Sequence, residues 1–100
     1  MIVLGIDPGL ADTGYGVVER RDGRLIALDG GVVRTPAGVR TELRLGELHD
    51  VLSELLREHA PDAMALESLY FGANVRSAFA VGQARGVAML CAGQAGVECF

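Results

Sequence analysis

Two acids stand where apolar runs stop. Asp7 closes the run Met1–Ile6 and is followed at once by Pro8-Gly9, and Glu67 closes the short run "MALE". In open α/β sheets, ligands bind beyond the carboxyl ends of the strands. If the two runs are neighbouring strands, their backbones lie about 4.8 Å apart. Alternation places Asp7 on one face with Val3 and Gly5, and Glu67 on one face with Ala65 and Leu69. If those faces coincide, both carboxylates reach one hard cation. Two carboxylates side by side repel, and one takes up a proton unless a cation neutralises them. Mg²⁺ suits such a pair, because it takes oxygen ligands and is held by one or two carboxylates together with substrate phosphate. Two such ions about 4 Å apart activate water and stabilise a leaving oxygen in phosphodiester hydrolysis. Each acid also has a plainer reading. Asp7 is a turn starter before Pro-Gly, and Glu67 is a solvated residue at a strand end. The sequence leaves both readings open.

The neighbouring residues add chemistry of the same kind. Gly9, Gly14 and Gly16 let a backbone or a phosphate approach closely, and Thr13 offers a hydroxyl. This glycine spacing does not decide between functions, because actin-like ATPases also open on a strand-Asp-x-Gly loop. Tyr70 and Phe71 follow Glu67 in a loop with Asn74 and Arg76. Aromatic rings beside a carboxylate site suit stacking on unpaired bases, and Arg76 suits a phosphate. One of the two rings is expected in the core. His49 and His59 lack a metal-like partner four residues on, and read as surface or helix-terminal residues.

The elements that must position these groups follow from periodicity. Met1–Asp7 reads as a buried strand, Gly14–Arg20 as a second and Arg24–Arg34 as a third, the last interrupted by Gly30-Gly31 at a bulge. Asp22-Gly23 signals a tight hairpin, so the three form an antiparallel meander. Leu45, Leu48, Leu52 and Leu55 then recur at spacings of 3, 4 and 3, which predicts an amphipathic helix over Val39–His59 ended by Pro61. Asp62–Tyr70 reads as a fourth strand, and the helix before it lets it run parallel to an earlier one. Ser77 is the expected N-cap of a second helix, Ala78–Gly93, and Gly96-Val97 begins a fifth strand. The order βββαβαβ is an α/β domain on a mixed sheet, in one domain spanning residues 1–100.

The composition narrows the class. Half of the 100 residues are hydrophobic, so a packed core is within reach without staples, and the net charge is -4, which disfavours attraction to nucleic acid by bulk charge. Every cationic side chain apart from the histidines is Arg. Cys91 and Cys99 form no C-x-x-C pair and read as reduced thiols. No stretch reads as a signal peptide or a membrane span, so a cytoplasmic location is expected.

"GIDPGLADTGYGVV" and "ALESLYFGANVRSAFAVGQARGVAML", taken together, resemble the RuvC family of bacterial Holliday-junction resolvases. The second segment is the more specific. The resemblance implies a ribonuclease H-like fold, a five-stranded mixed sheet with flanking helices. It implies a homodimeric, Mg²⁺-dependent endonuclease with two ions per site, for which Mn²⁺ is a substitute. Such an enzyme cuts two symmetry-related strands of a four-way DNA junction, in recombination and repair, alongside the RuvA-RuvB branch-migration helicase. By position Asp7 and Glu67 match the first two catalytic acids, and Tyr70 matches an aromatic that contacts unstacked bases. Gln83 and Arg85 fall in the segment near the dimer interface. The family's other two metal ligands lie on a C-terminal helix, beyond Phe100. The chain therefore reads as the N-terminal two-thirds of a resolvase domain, inactive in isolation. Two alternatives stand beside this reading: an actin-like nucleotide-binding phosphotransferase half-domain, and a non-catalytic junction-binding module.

Overall fold

The N-terminal apolar run forms β1, Ile2–Asp7, the middle strand of the sheet. Around it a computed structural model describes residues 1–67 and 75–100, with side chains from residue 78 onward in the second segment. The other elements are β2 (Asp12–Arg21), β3 (Arg24–Arg34), α1 (Thr41–His59), β4 (Ala63–Leu66), α2 (Val75–Ala95) and β5 (Glu98–Cys99). Five strands form one sheet in the order β3-β2-β1-β4-β5. β1, β2 and β3 pair antiparallel, while β4 lies parallel to β1 and β5 parallel to β4. The expected βββαβαβ order and mixed sheet are both present.

The β2–β3 hairpin closes at Asp22-Gly23, both with positive φ (53° and 77°), as a two-residue hairpin requires. The bulge in this hairpin lies elsewhere than at Gly30-Gly31. Val17 pairs with Asp29 and Val18 with Ala27, which leaves Leu28 as the extra residue. Gly31 answers a different need: a Cβ there would come within 3.0 Å of the Tyr15 hydroxyl and 3.2 Å of its ring.

Alternation sorts the sheet into two faces. Leu4, Ile6, Val17, Val33 and Met64 share the face that packs on the helices. α1 buries Leu48, Leu52, Leu55 and Leu56, the predicted leucine stripe. α2 meets it with Ala84, Ala88, Cys91 and Ala92, small residues that let two helices approach closely. Val3, Gly5, Asp7, Gly14, Gly16 and Ala65 lie on the opposite face.

Several ends differ from expectation for visible reasons. β2 begins at Asp12, where register with Arg34 starts, rather than at Gly14. The Arg40 carbonyl accepts from the N–H groups of Leu43 and Arg44, so α1 starts at Thr41 and Val39 lies outside it. Ala60 closes α1 in the left-handed region, its N–H donating to Leu56 O at 3.0 Å. The backbone of α2 is already helical at Val75, so Ser77 is inside the first turn and is not its N-cap. At the other end the N–H groups of Gly96 and Val97 donate back to Gly93 O and Ala92 O. Those donors finish α2, and the strand waits until Glu98. β4 holds Ala63–Leu66; Asp62 and Glu67, expected within it, flank it, and the rest of the expected extension to Tyr70 lies outside the described residues.

Candidate active site

The register decides whether Asp7 and Glu67 can meet. Gly5 pairs with Ala65 and Ile6 with Leu66 across the parallel β1–β4 ladder. The Glu67 N–H then donates to Ile6 O at 3.0 Å. Asp7 and Glu67 are therefore next in line on adjacent strands, on one face. The Glu67 carboxyl is held above the usual carboxylate range, chiefly by hydrogen bonding to the Asp7 carboxyl; the nearby Asp7 charge and partial desolvation push the same way. Both residues are exposed.

The floor in front of them is nearly bare of side chains. Gly5, Gly14, Gly16 and Ala65 line, with Asp7 and Glu67, a shallow depression of about 450 Å³. A larger cavity, about 850 Å³, opens between α1 and α2 beside His49, Ser53, Arg57, Cys91 and Gln94, and includes neither acid.

The turn after Asp7 is closed by Thr13, which is 1% exposed. Its hydroxyl donates to Gly9 O and accepts from the Gly9 N–H at 3.2 Å. Gly9 is required there, because a Cβ would lie 2.2 Å from the Asp12 carbonyl oxygen.

The remaining candidates separate. Tyr70, Phe71 and Asn74 lie outside the described residues, and Arg76 is placed only by the helical backbone of α2. Gln83 is exposed on α2, and Arg85, half-buried, donates from Nη1 to Met89 Sδ at 3.0 Å. Phe79, Met89 and Leu90 are exposed on the same helix. His49 Nε2 meets Gln94 Oε1 at 2.8 Å.

His59 ends α1 as expected but is no free surface residue. Its side chain is 13% exposed and Nε2 lies 2.9 Å from Asp29 Oδ2 on β3. Donor atoms of Asp29, Glu58 and His59 all lie within 4.8 Å of one another. No local motif announces this cluster, because 29 and 59 meet only when α1 packs under the sheet. Cys91 and Cys99 are free thiols, and burial pushes the Cys91 thiol up against an opposing Ser53 hydrogen bond. Among the described residues, no helix is long and apolar enough to cross a membrane.

A mixed sheet in this order, with helices packed on one face and paired acids beyond the central strand and its parallel neighbour, is a ribonuclease H-like domain. The family model described as "Crossover junction endodeoxyribonuclease RuvC" matches residues 3–100, and the chain belongs to that family. The crossover junction endodeoxyribonuclease RuvC of Thermomicrobium roseum is 55% identical over 94 residues, covering 94% of this chain and 57% of the relative. That of Pelotomaculum thermopropionicum is 43% identical over 100 residues, covering 100% of this chain and 61% of the relative. The chain thus spans about three-fifths of the length of these relatives. Among solved structures, Thermus thermophilus RuvC in complex with a Holliday junction substrate superposes with a TM-score of 0.94 at 34% identity, over 100% of this chain and 64% of that one. The Aquifex aeolicus PPX-GPPA enzyme shares the fold alone, with a TM-score of 0.56 at 17% identity over 99% of this chain and 34% of that one.

Proposed function

We propose that this chain forms the first part of a structure-selective DNA endonuclease that resolves four-way junctions by Mg²⁺-dependent phosphodiester hydrolysis. The observation that carries the proposal is the Asp7–Glu67 contact. Two acids side by side at the ends of paired strands, with the Glu67 carboxyl pushed up by its Asp7 neighbour, form an oxygen-only donor set whose repulsion a divalent cation relieves. That fits Mg²⁺ better than a softer metal. Mn²⁺ is the expected substitute.

Asp7 and Glu67 would each supply carboxylate oxygens to two ions, with the further ligands coming from the part of the protein that the relatives carry beyond this match. When bound, the ions lower the pKa of an attacking water and stabilise the leaving oxygen. The glycine floor beside the acids lets a sugar-phosphate backbone lie against the sheet without meeting side chains. Tyr70 serves to stack on unpaired bases at the junction centre, with Phe71 next to it in sequence, and Asn74 and Arg76 serve to hold phosphates. A second copy joins through the exposed face of α2 near Gln83 and Arg85. The resulting two-fold axis matches the symmetry of a four-way junction and gives two cuts. RuvA-RuvB is the partner complex this role implies, and the cytoplasm its place.

A phosphotransferase reading is weaker here. The Gly9 N–H and the Thr13 hydroxyl, the donors such a loop would offer to phosphate, are spent on each other.

The test uses the full-length protein, a synthetic four-way junction and Mg²⁺. The parent should introduce two symmetric nicks. Asp7→Asn should slow cutting by more than about 100-fold, beyond the loss typical of residues that only support a metal ligand, while still binding the junction. Cutting by Asp7→Asn at the parent rate would remove Asp7 from the mechanism. Binding by the parent without any cutting would favour a junction-binding module.

A further inference from the structure

We propose that Thr35 and Arg44 are positioning residues for Asp7, acting through the loop Pro8–Ala11, and this rests on the reading of Asp7 as a metal ligand. The loop leaves β1 at Asp7 and returns to β2 at Asp12. Each of its last three carbonyls has a specific partner. Gly9 O accepts from the Thr13 hydroxyl. Leu10 O accepts from the Thr35 hydroxyl at 2.5 Å. Ala11 O accepts from the Thr35 N–H at 3.0 Å. Thr35 follows the last residue of the edge strand β3 and is 6% exposed.

Arg44 locks Thr35 in turn. From the first turns of α1 its Nε donates to Thr35 Oγ1 at 3.0 Å and its Nη2 to Thr35 O at 3.3 Å. The Thr35 hydroxyl has one proton to give. With Arg44 donating to its oxygen, that proton is directed at Leu10 O. A charged donor on the same oxygen also strengthens the outgoing bond. An α1 side chain thereby grips the loop that begins at Asp7, although neither Arg44 nor Thr35 lies at the Asp7–Glu67 depression.

The brace fits a positioning role better than a purely structural one. It holds no hydrophobic core together: Leu4, Ile6 and Met64 are buried by the leucines of α1 and the alanines of α2 without it. What it fixes is the path of the four residues after a metal ligand. Residues of this kind around metal sites affect affinity or activity by about 10–100-fold when removed.

The experiment compares Thr35→Val, Thr35→Ser and Arg44→Met with the parent in the full-length protein. Thr35→Val keeps the shape and loses the hydroxyl; Thr35→Ser restores it. Mg²⁺ affinity is read by calorimetry, the Mg²⁺ dependence of single-turnover junction cutting is read alongside, and amide hydrogen exchange is read at Leu10–Thr13 and in β1. The expected result is a half-saturating Mg²⁺ concentration about 10–100-fold higher for Thr35→Val and Arg44→Met. Exchange should be faster at Leu10–Thr13 and unchanged at Leu4 and Ile6. Thr35→Ser should return most of the Mg²⁺ affinity, and metal-free junction binding should stay at the parent level in all three. Parent-like Mg²⁺ affinity in Thr35→Val overturns the proposal. So does a general loss, in which β1 exchange speeds up and junction binding falls while the Mg²⁺ midpoint stays put, or a Thr35→Ser variant as impaired as Thr35→Val. A parent that binds Mg²⁺ but never cuts a junction instead overturns the proposed function, and the brace is then judged by Mg²⁺ affinity and exchange alone.

Discussion

Replacing Gly9 by alanine tests whether the turn after Asp7 is as tight as its geometry requires. The added Cβ would sit 2.2 Å from the Asp12 carbonyl oxygen and 3.3 Å from its carbon. Carbon–oxygen contacts that occur in proteins start near 3.3 Å, so the two chain segments must part by about 1 Å. The obstacle is backbone, so no side chain can swing away. Asp12 is held by its register with Arg34 in the β2–β3 ladder. Most of the movement therefore falls on Gly9, two residues from Asp7, and it also breaks both Gly9–Thr13 hydrogen bonds. Overpacking of this kind costs about 1–3 kcal/mol. A displacement of about 1 Å at a reacting group costs about 100-fold in rate. The assay is single-turnover cutting of a four-way junction by full-length protein at saturating Mg²⁺, paired with a thermal melt. Gly9→Ala should cut about 100-fold more slowly and melt several degrees lower. Gly46→Ala is the control, since a Cβ on that exposed α1 residue meets nothing within 4 Å; it should cut normally and gain about 0.5–1 kcal/mol from helix propensity. A Gly9→Ala protein that cuts and melts like the parent would refute the argument from close approach.

Two further outcomes concern the frame. Leu52→Ala, at a site 0% exposed between α1 and the sheet, should lose about 2–5 kcal/mol in denaturant unfolding; a loss below about 1 kcal/mol would mean the core closes over the gap. Asp29→Asn should change the acid limb of stability. The hydrogen bond from His59, reinforced by the Gly30 N–H at 2.8 Å, holds the Asp29 carboxyl below its ordinary range. A depressed carboxyl stabilises the fold above its unfolded value, about 3.9, and that contribution disappears as pH falls through the lower folded value. The parent should therefore exceed Asp29→Asn in stability at pH 5–6 and converge on it toward pH 2 in urea melts; a constant gap across that range would count against the pairing.

Much of this architecture is legible in the amino-acid sequence, and the reason is range. The Asp22-Gly23 turn, the leucine stripe of α1 and the strand ends at Asp7 and Glu67 are written in neighbouring residues with a period of 2 or near 3.6. A rule about crossovers lets the fourth strand run parallel to an earlier one, but that this strand is β1, the pairing that brings the two acids together, is set by the fold. What periodicity could not supply depends on contacts distant in sequence. The bulge at Leu28 depends on how β3 registers on β2. The His59–Asp29 pair needs α1 seated under the sheet, and Thr35 with Arg44 reads as an ordinary strand end followed by a helix charge. Ser77 shows the reverse failure, a good local cap signal overridden by a helix that already runs from Val75.

The two acids reach their common position by unlike routes. Asp7 is set by its own strand and a four-residue loop tied to Thr13 and Thr35. Glu67 arrives only after the chain has crossed from the far edge of the sheet through α1, because parallel neighbours cannot be joined by a hairpin. The crossover is pinned where β4 starts, by Asp62 Oδ2 accepting the Ile2 N–H at 2.7 Å and the Asp62 N–H donating to Ile2 O at 2.8 Å. From there only four strand residues separate the pin from Glu67. The spacing of the two carboxylates is thus governed by how Leu48 and Leu52 seat against Leu4 and Met64, as well as by the β1–β4 ladder itself. Core substitutions in α1 should then disturb the acid pair from a distance, whereas substitutions in the Pro8–Ala11 loop should move Asp7 alone.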